Sequence, residues 1–224
     1  MIAMALSLAL AASAQPATRI EPRGAPALPT GAQSEAADAQ LVMAAYGRCI
    51  VARSRRGVQR FLAVLPGSDD WQRLGSQLAT ADCLHNARLR FHASLFRGAL
   101  FEALYRADYG RRHPRSFADV PALVYTAQDP ATLNGDQRNW LSLQEFGDCV
   151  VRARPSEARA LVLSRVTRAD ERRAFAALGP ALPPCLRQGV QLAFSRPILR
   201  GLIAESLYRL SEAATGRSAS GAER

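Results

Sequence analysis

The 224-residue chain contains no lysine, and all 29 of its basic residues are arginine. An all-arginine, alanine-rich composition is what a GC-rich genome writes by codon bias, so the net charge of +10 does not by itself define a binding face. Basic chains are drawn to phosphate-rich partners. Here, however, the arginines are spread along the chain, and only Arg53, Arg55 and Arg56, and Arg111, Arg112 and Arg115, cluster. Nucleic acid is therefore not an expected partner, whereas an anionic envelope component stays open. The three histidines, His85, His92 and His113, all fall in the first half. The chain has no G-x-S-x-G, no glycine-rich phosphate loop and no H-E-x-x-H. It also lacks C-x-x-C-H and C-x-x-C, the signatures of c-type haem and of thioredoxin-like redox sites. No segment alternates like a strand for more than a few residues; the only strand-like run is near Leu123 to Thr126.

Long apolar runs are missing too, except at the start. The run over residues 1–14 ends in Ala12-Ser13-Ala14 and reads as a signal peptide with Gln15 as the new terminus, although no arginine precedes it. It is short of the roughly 20 apolar residues that cross a bilayer as a helix. Residues 15–37 follow as a flexible Pro/Ala-rich segment, with prolines at 16, 22, 26 and 29. These features predict a periplasmic or secreted chain whose folded part starts near Asp38, with no transmembrane segment.

What the chain does have is a repeat. Residues 46–51 (YGRCIV) match 146–151 (FGDCVV), and Cys83-Leu84 matches Cys185-Leu186. Leu89–Arg106 aligns without a gap to Leu192–Arg209, with eight identities in eighteen positions. That period is far longer than the roughly 20–50 residues of solenoid repeats, so a two-copy architecture is expected. The fold class is all-α: two tandem disulfide-closed four-helix modules from internal duplication, packed about a pseudo-twofold axis. Module 1 spans 38–110, a connector 111–136, module 2 spans 137–214, and 215–224 is a disordered tail. The predicted helices are 38–53, 56–65, 69–81 and 93–109, then 137–154, 156–166, 169–178 and 196–214. Ser68-Asp69-Asp70, Pro155 and Ser195-Arg196-Pro197 serve as start signals.

With its C-V-V cysteine and its L-R-G-x-L helix, the chain resembles a set of uncharacterised secreted proteins of GC-rich alphaproteobacteria. The resemblance covers both copies and implies an exported protein, with no particular chemistry.

Four cysteines, Cys49, Cys83, Cys149 and Cys185, in an exported chain read as disulfides. Four allow three connectivities; duplication selects Cys49–Cys83 and Cys149–Cys185, each copy closing its own bond. In the chain-entropy treatment a loop of about 35 residues is worth roughly 4 kcal/mol. Cys83, His85 and His92 are a competing metal reading, but Arg187 and Ser195 stand at the corresponding second-half places. No metal and no cofactor are expected.

The repeated helix carries the sharpest candidates for chemistry, Glu102 and Glu205. Two carboxylates can divide acid and base work, and Glu205-Ser206 has a passing look of the lytic transglycosylases. A peptidoglycan-cleaving hydrolase using one of these glutamates is therefore an alternative. The first copy has Ala103 in place of that serine, and the downstream Gly-Leu-Met-Gln stretch is missing. The structural reading explains more. Glu102 and Arg106, and Glu205 and Arg209, are spaced as helical ion pairs, worth about 0.3–0.5 kcal/mol when exposed. Gly98 and Gly201 sit mid-helix at a cost of about 1 kcal/mol each, which suggests close packing of one helix copy on the other. Arg97, Arg200, Tyr105 and Tyr208 would then satisfy carbonyls and the glutamates. The expected function is a non-enzymatic structural or interaction protein of the cell envelope with an unknown protein partner. A basic binder of anionic envelope polymers is the other alternative.

Overall fold

The computed structural model describes residues 30–79, 81–84, 93–186 and 195–216. They are all-helical, with no strand among them. The helices are α1 (Thr30–Arg53), α2 (Arg55–Ala63), α3 (Asp69–Leu78), α4 (Ala93–Tyr109), α5 (Gly135–Ala153), α6 (Pro155–Leu163), α7 (Ala169–Leu178), the single turn α8 (Leu182–Cys185) and α9 (Arg196–Ala214). Short 3-10 turns lie at Ala81–Leu84, Pro130–Thr132 and Gly179–Ala181. The residues of the expected signal peptide, those up to Pro29, and 217–224 of the tail lie outside the described residues.

Local chemistry sets most boundaries. The Ser68 side chain accepts from the Trp71 N–H at the start of α3. Asn134 and Gln137 form a reciprocal capping box that starts α5 two residues before the expected position. Pro155 and Pro197 stand in the first turns of α6 and α9, where no N–H is required. Ser195 does occupy the N-cap of α9, but its side chain caps nothing, contrary to expectation. Helix α1 starts at Thr30, eight residues before Asp38: the last proline is Pro29, and the alanine-, glutamine- and glutamate-rich stretch after it has high helix propensity. The second helices end at Ala63 and Leu163, short of the expected 65 and 166, and α3 ends at Leu78 rather than 81.

Helices α4 and α9 form the centre. Phe96, Leu100, Phe101 and Leu104 of α4 and Leu202, Ile203, Leu207 and Leu210 of α9 are buried in one core. That core also takes Tyr46 and Ile50 of α1, Phe61 of α2, Val150 of α5 and Leu161 of α6. A helix apolar on most of its sides has to be covered on most of its sides. Accordingly α1 packs on α4, α5 on α9, and α4 crosses α9. At that crossing a Cβ on Gly98 would stand 2.5 Å from the Gly201 Cα, and one on Gly201 would stand 2.8 Å from the Gly98 Cα. No side chain fits between the backbones, which is why both glycines are tolerated mid-helix.

The disulfides are Cys49–Cys83 and Cys149–Cys185. Each ties a long helix to a short separate turn, Ala81–Leu84 or α8, not to the end of the third helix as the sequence suggested. No described helix is long and apolar enough to cross a membrane.

Candidate functional site

The α4–α9 crossing places the repeated charged residues around the two glycines. Gly98 is flanked by Arg97, and Glu102 lies one turn on; Gly201 is flanked by Arg200, and Glu205 lies one turn on. Close approach of the backbones brings each arginine to the glutamate of the other helix. Arg97 donates from Nε and Nη2 to the two Glu205 carboxylate oxygens at 2.9 and 2.7 Å. Arg200 donates from Nε and Nη2 to the two Glu102 oxygens at 2.7 and 2.9 Å. Both pairs are bidentate, the strongest form of this contact. The expected helical pairs are also present, with Arg106 on Glu102 and Arg209 on Glu205, each at 3.0 Å. Each carboxylate is thus held by two guanidiniums.

These pairs are not the exposed helical pairs that the spacing suggested. Glu102 is 8% exposed and Glu205 3%, and Arg97 and Arg200 are 4% and 3%. Burial alone would raise the Glu205 carboxyl, but Arg97 and Arg209 outweigh it and hold the group below the usual carboxylate range. It is ionised at neutral pH and has no proton to give. A general acid needs a retained proton and an approach for substrate. Glu205 has neither, and Glu102 is enclosed in the same way by Arg106 and Arg200.

The same guanidiniums close helix ends. Arg97 and Arg209 donate to the Leu62 carbonyl in the last turn of α2, at 3.1 and 3.3 Å. Arg106 and Arg200 donate to the Val162 and Ser164 carbonyls at the end of α6, at 2.6–3.1 Å. Terminal carbonyls have no partner within their own helix and carry the negative end of its dipole, so cations suit them. Arg200 Nη1 also reaches the Ser164 hydroxyl at 2.9 Å and Glu171 of α7 at 3.0 Å. Glu171 in turn accepts the Thr167 N–H at 2.8 Å.

The tyrosines behave otherwise than expected. The Tyr208 hydroxyl donates to Asp108 at 3.1 Å and not to a glutamate. Tyr105 is buried beside Arg159. One turn beyond Glu205, Tyr208 still spans the two helices, packing on Phe101 and Tyr109 of α4, but its hydroxyl meets Asp108 instead of a carbonyl or glutamate. Burial raises both hydroxyls.

Other arginines fix loops. Arg152 donates to the Phe117, Val120 and Pro121 carbonyls at 2.7–2.8 Å and lays the connector along α5. Arg159 holds the Gly110 carbonyl at 2.9 Å, and Arg138 holds that of Leu133. Seven arginines, Arg97, Arg106, Arg138, Arg152, Arg159, Arg200 and Arg209, thus hold backbone carbonyls. Apart from Arg138, five residues from Leu133, these arginines reach carbonyls distant in the chain, which sequence spacing could not show; nor could it show the parts of Glu171 and Ser164.

Among the described residues no three His, Cys, Asp or Glu side chains come together as metal ligands. His85 and His92 lie outside the described residues. His113 lies in the bend after α4, and burial, with Arg159 and Arg115, lowers its pKa. No protein-family profile, curated protein or solved structure matches the chain.

Proposed function

We propose that the chain is an exported, non-enzymatic structural or interaction protein of the cell envelope, built from two fused copies of one module related by a pseudo-twofold axis. The observation that carries this reading is the reciprocity of the crossing: Arg97 with Glu205, Arg200 with Glu102, Gly98 against Gly201. Two copies of one helix meeting at an axis produce that pattern directly. It also accounts for the recurrence of the arginine, glycine and glutamate without any reaction. The disulfides and the apolar N-terminal run support a periplasmic or secreted location.

The test is release of soluble fragments from purified peptidoglycan by wild type, Glu102→Gln and Glu205→Gln. The expected result is no release by any of the three. Release by wild type that disappears in a folded glutamine variant would replace this reading with the hydrolase. N-terminal sequencing of the exported protein should begin at Gln15; a retained Met1 would reject the processing step.

A further inference from the structure

The two long outer helices differ in what lies over them. Along α5 runs the connector. Its carbonyls at Phe117, Val120 and Pro121 are held by Arg152. Its Tyr125 ring centre lies 5.6 Å from the Arg209 guanidinium carbon, beside Asp148 and Ser206, and the ring meets that of Trp140 edge-on at 6.2 Å. Phe117, Val120 and Leu123 pack against the core. A non-helical strip of the chain's own backbone thus covers the cleft between α5 and α9.

In the repeat, Asp148, Arg152, Ser206 and Arg209 under that strip correspond to Arg48, Ala52, Ala103 and Arg106. Helices α2 and α6 begin at Arg55 and Pro155, so the correspondence carries past the matched motifs. Arg48, Ala52, Ala103 and Arg106, with Val51 and Arg55, line a groove of about 530 Å³ between α1 and α4. No connector residue lines it. The two walls also differ in charge. Along α5, Asp148 is paired with Arg152 and Pro155 is uncharged, so the wall is neutral. It takes a strip, residues 117–125, with one acid, Asp119, and no base. In the other wall Arg48 and Arg55 replace Asp148 and Pro155, and Ala52 replaces Arg152. Arg55 is engaged by Asp108 and Arg106 by Glu102, but Glu102 is also held by Arg200. Arg48 is exposed and has no ion pair among the described residues. The groove is therefore cationic above a floor of alanine and valine.

We infer that this groove takes an acidic strip of a partner protein, laid in as the connector is laid over α5, with Glu or Asp at the place of Tyr125. The connector itself sets that place. Tyr125 stands beside Asp148 and Arg209, whose counterparts are Arg48 and Arg106. A carboxylate there meets one uncommitted guanidinium and a second that shares its glutamate with Arg200. A polyphosphate would use the arginines and leave the apolar floor bare, whereas a peptide strip covers both. The inference rests on the two-copy reading above and names the kind of partner that an interaction protein of this shape would have.

The test adds a fluorescein-labelled synthetic peptide of residues 116–126, carrying Tyr125→Glu, to the full disulfide-bonded chain and follows fluorescence polarisation. Saturable binding is expected, on the order of tenfold tighter than for the same peptide with Tyr125 retained. Arg48→Glu should weaken it about tenfold, since an ion pair is lost and a like charge gained. Ala52→Trp fills the groove from an exposed position without changing charge, and should weaken binding as much. Both positions are exposed, and unchanged circular dichroism checks that the variants fold. No saturable binding, or binding indifferent to both variants, overturns the inference. Equal binding of a scrambled peptide of the same composition overturns it in favour of a plain basic face. Pelleting with phosphatidylglycerol vesicles that Arg48→Glu abolishes, without peptide binding, would give the groove to a lipid surface. Dimerisation that Ala52→Trp abolishes would give it to a second copy. The peptidoglycan assay reads separately: fragment release would end the non-enzymatic reading and leave the groove's occupant unchanged, because neither Glu102 nor Glu205 lines it.

Discussion

Arg97 and Arg200 stand at corresponding places on α4 and α9, yet their surroundings differ. Every nitrogen of Arg200 is engaged, by Glu102, Glu171, Ser164 and two carbonyls. Arg97 has Glu205 and the Leu62 carbonyl, while its Nη1 has no hydrogen-bond partner among the described residues. The guanidinium carbon lies near two aromatic faces, 5.2 Å from the Phe101 ring centre and 5.6 Å from that of Trp140. The difference comes from two substitutions in the repeat. Val64 stands where the second half has Ser164, and Trp71 where it has Glu171. Trp71 stacks on Phe61 in the first half, so the same place serves the core there and the charge network in the second. A buried guanidinium can be satisfied by oxygen or partly accommodated by aromatic rings, and the first solution ties more elements together.

Removing the guanidiniums separates the two most clearly. Arg200→Leu strands Glu102 with Arg106 alone and leaves Glu171 without its cation, so a loss of about 3–5 kcal/mol is expected in urea unfolding. Arg97→Leu strands only Glu205, which keeps Arg209, and should cost less. Equal losses would show that Glu171 adds nothing. A cycle sharpens the point: Glu171→Gln should destabilise wild type but become neutral or favourable in the Arg200→Leu background. The next effect strikes both clusters at once. Gly98→Ala inserts a methyl where 2.5 Å is available, and the helices must separate; a cost of about 1–3 kcal/mol is expected, and the same for Gly201→Ala. If either alanine variant unfolds at the wild-type urea midpoint, the close approach is not what holds the pairs.

Much of this was legible in the sequence and some was not. Helix existence followed from apolar spacing, and the start and end of α4, α7 and α9 agree with it. Cysteine pairing followed from the repeat. The glycines advertised their contact because a mid-helix glycine needs a reason, and the reason had to recur. The bidentate pairs were hidden. Glu102 has an arginine four residues away, and local spacing names that partner, but Arg200 lies 98 residues off and reaches it only once the helices cross. Glu171 was hidden for the opposite reason: at the start of α7 it reads as an ordinary helix-opening acid.

Acid should act with opposite signs at two carboxylates, Glu205 at the helix crossing and Asp148 beside Arg152 on α5. Glu205 is held below its usual value by Arg97 and Arg209 against the effect of burial. Its contribution is present above the unfolded value of about 4.3 and is lost as pH falls through the lower folded value. Asp148 is raised by burial, which exceeds the opposing effect of Arg152. It therefore favours the folded state more as pH falls through its folded value. In unfolding midpoints measured from pH 7 downward, Asp148→Asn should steepen the acid loss and Glu205→Gln should flatten it. The reverse order would reverse the assignment of which carboxylate the arginines control.

The smallest expected effect lies at the turns before α3 and α7. Gly67 and Thr167 both have positive φ, +80° and +65°. For glycine this is free; for threonine it costs about 1–2 kcal/mol. Thr167 is kept there because its N–H is bound by Glu171, the same carboxylate that serves Arg200. The first half has no such acid, since Trp71 occupies the place. Thr167→Gly relieves the strain but adds freedom to the unfolded chain worth about 0.5–1 kcal/mol, so it should stabilise by less than about 1 kcal/mol. A Cβ at position 67 would meet nothing within 4 Å, so Gly67→Thr should cost chiefly the conformational term, about 1–2 kcal/mol. Adding Glu at position 71 should not recover that loss, because Arg97 does not reach toward α3 as Arg200 reaches toward α7. If Trp71→Glu does rescue Gly67→Thr, the two halves are interchangeable at this turn and the aromatic solution around Arg97 is a matter of packing alone.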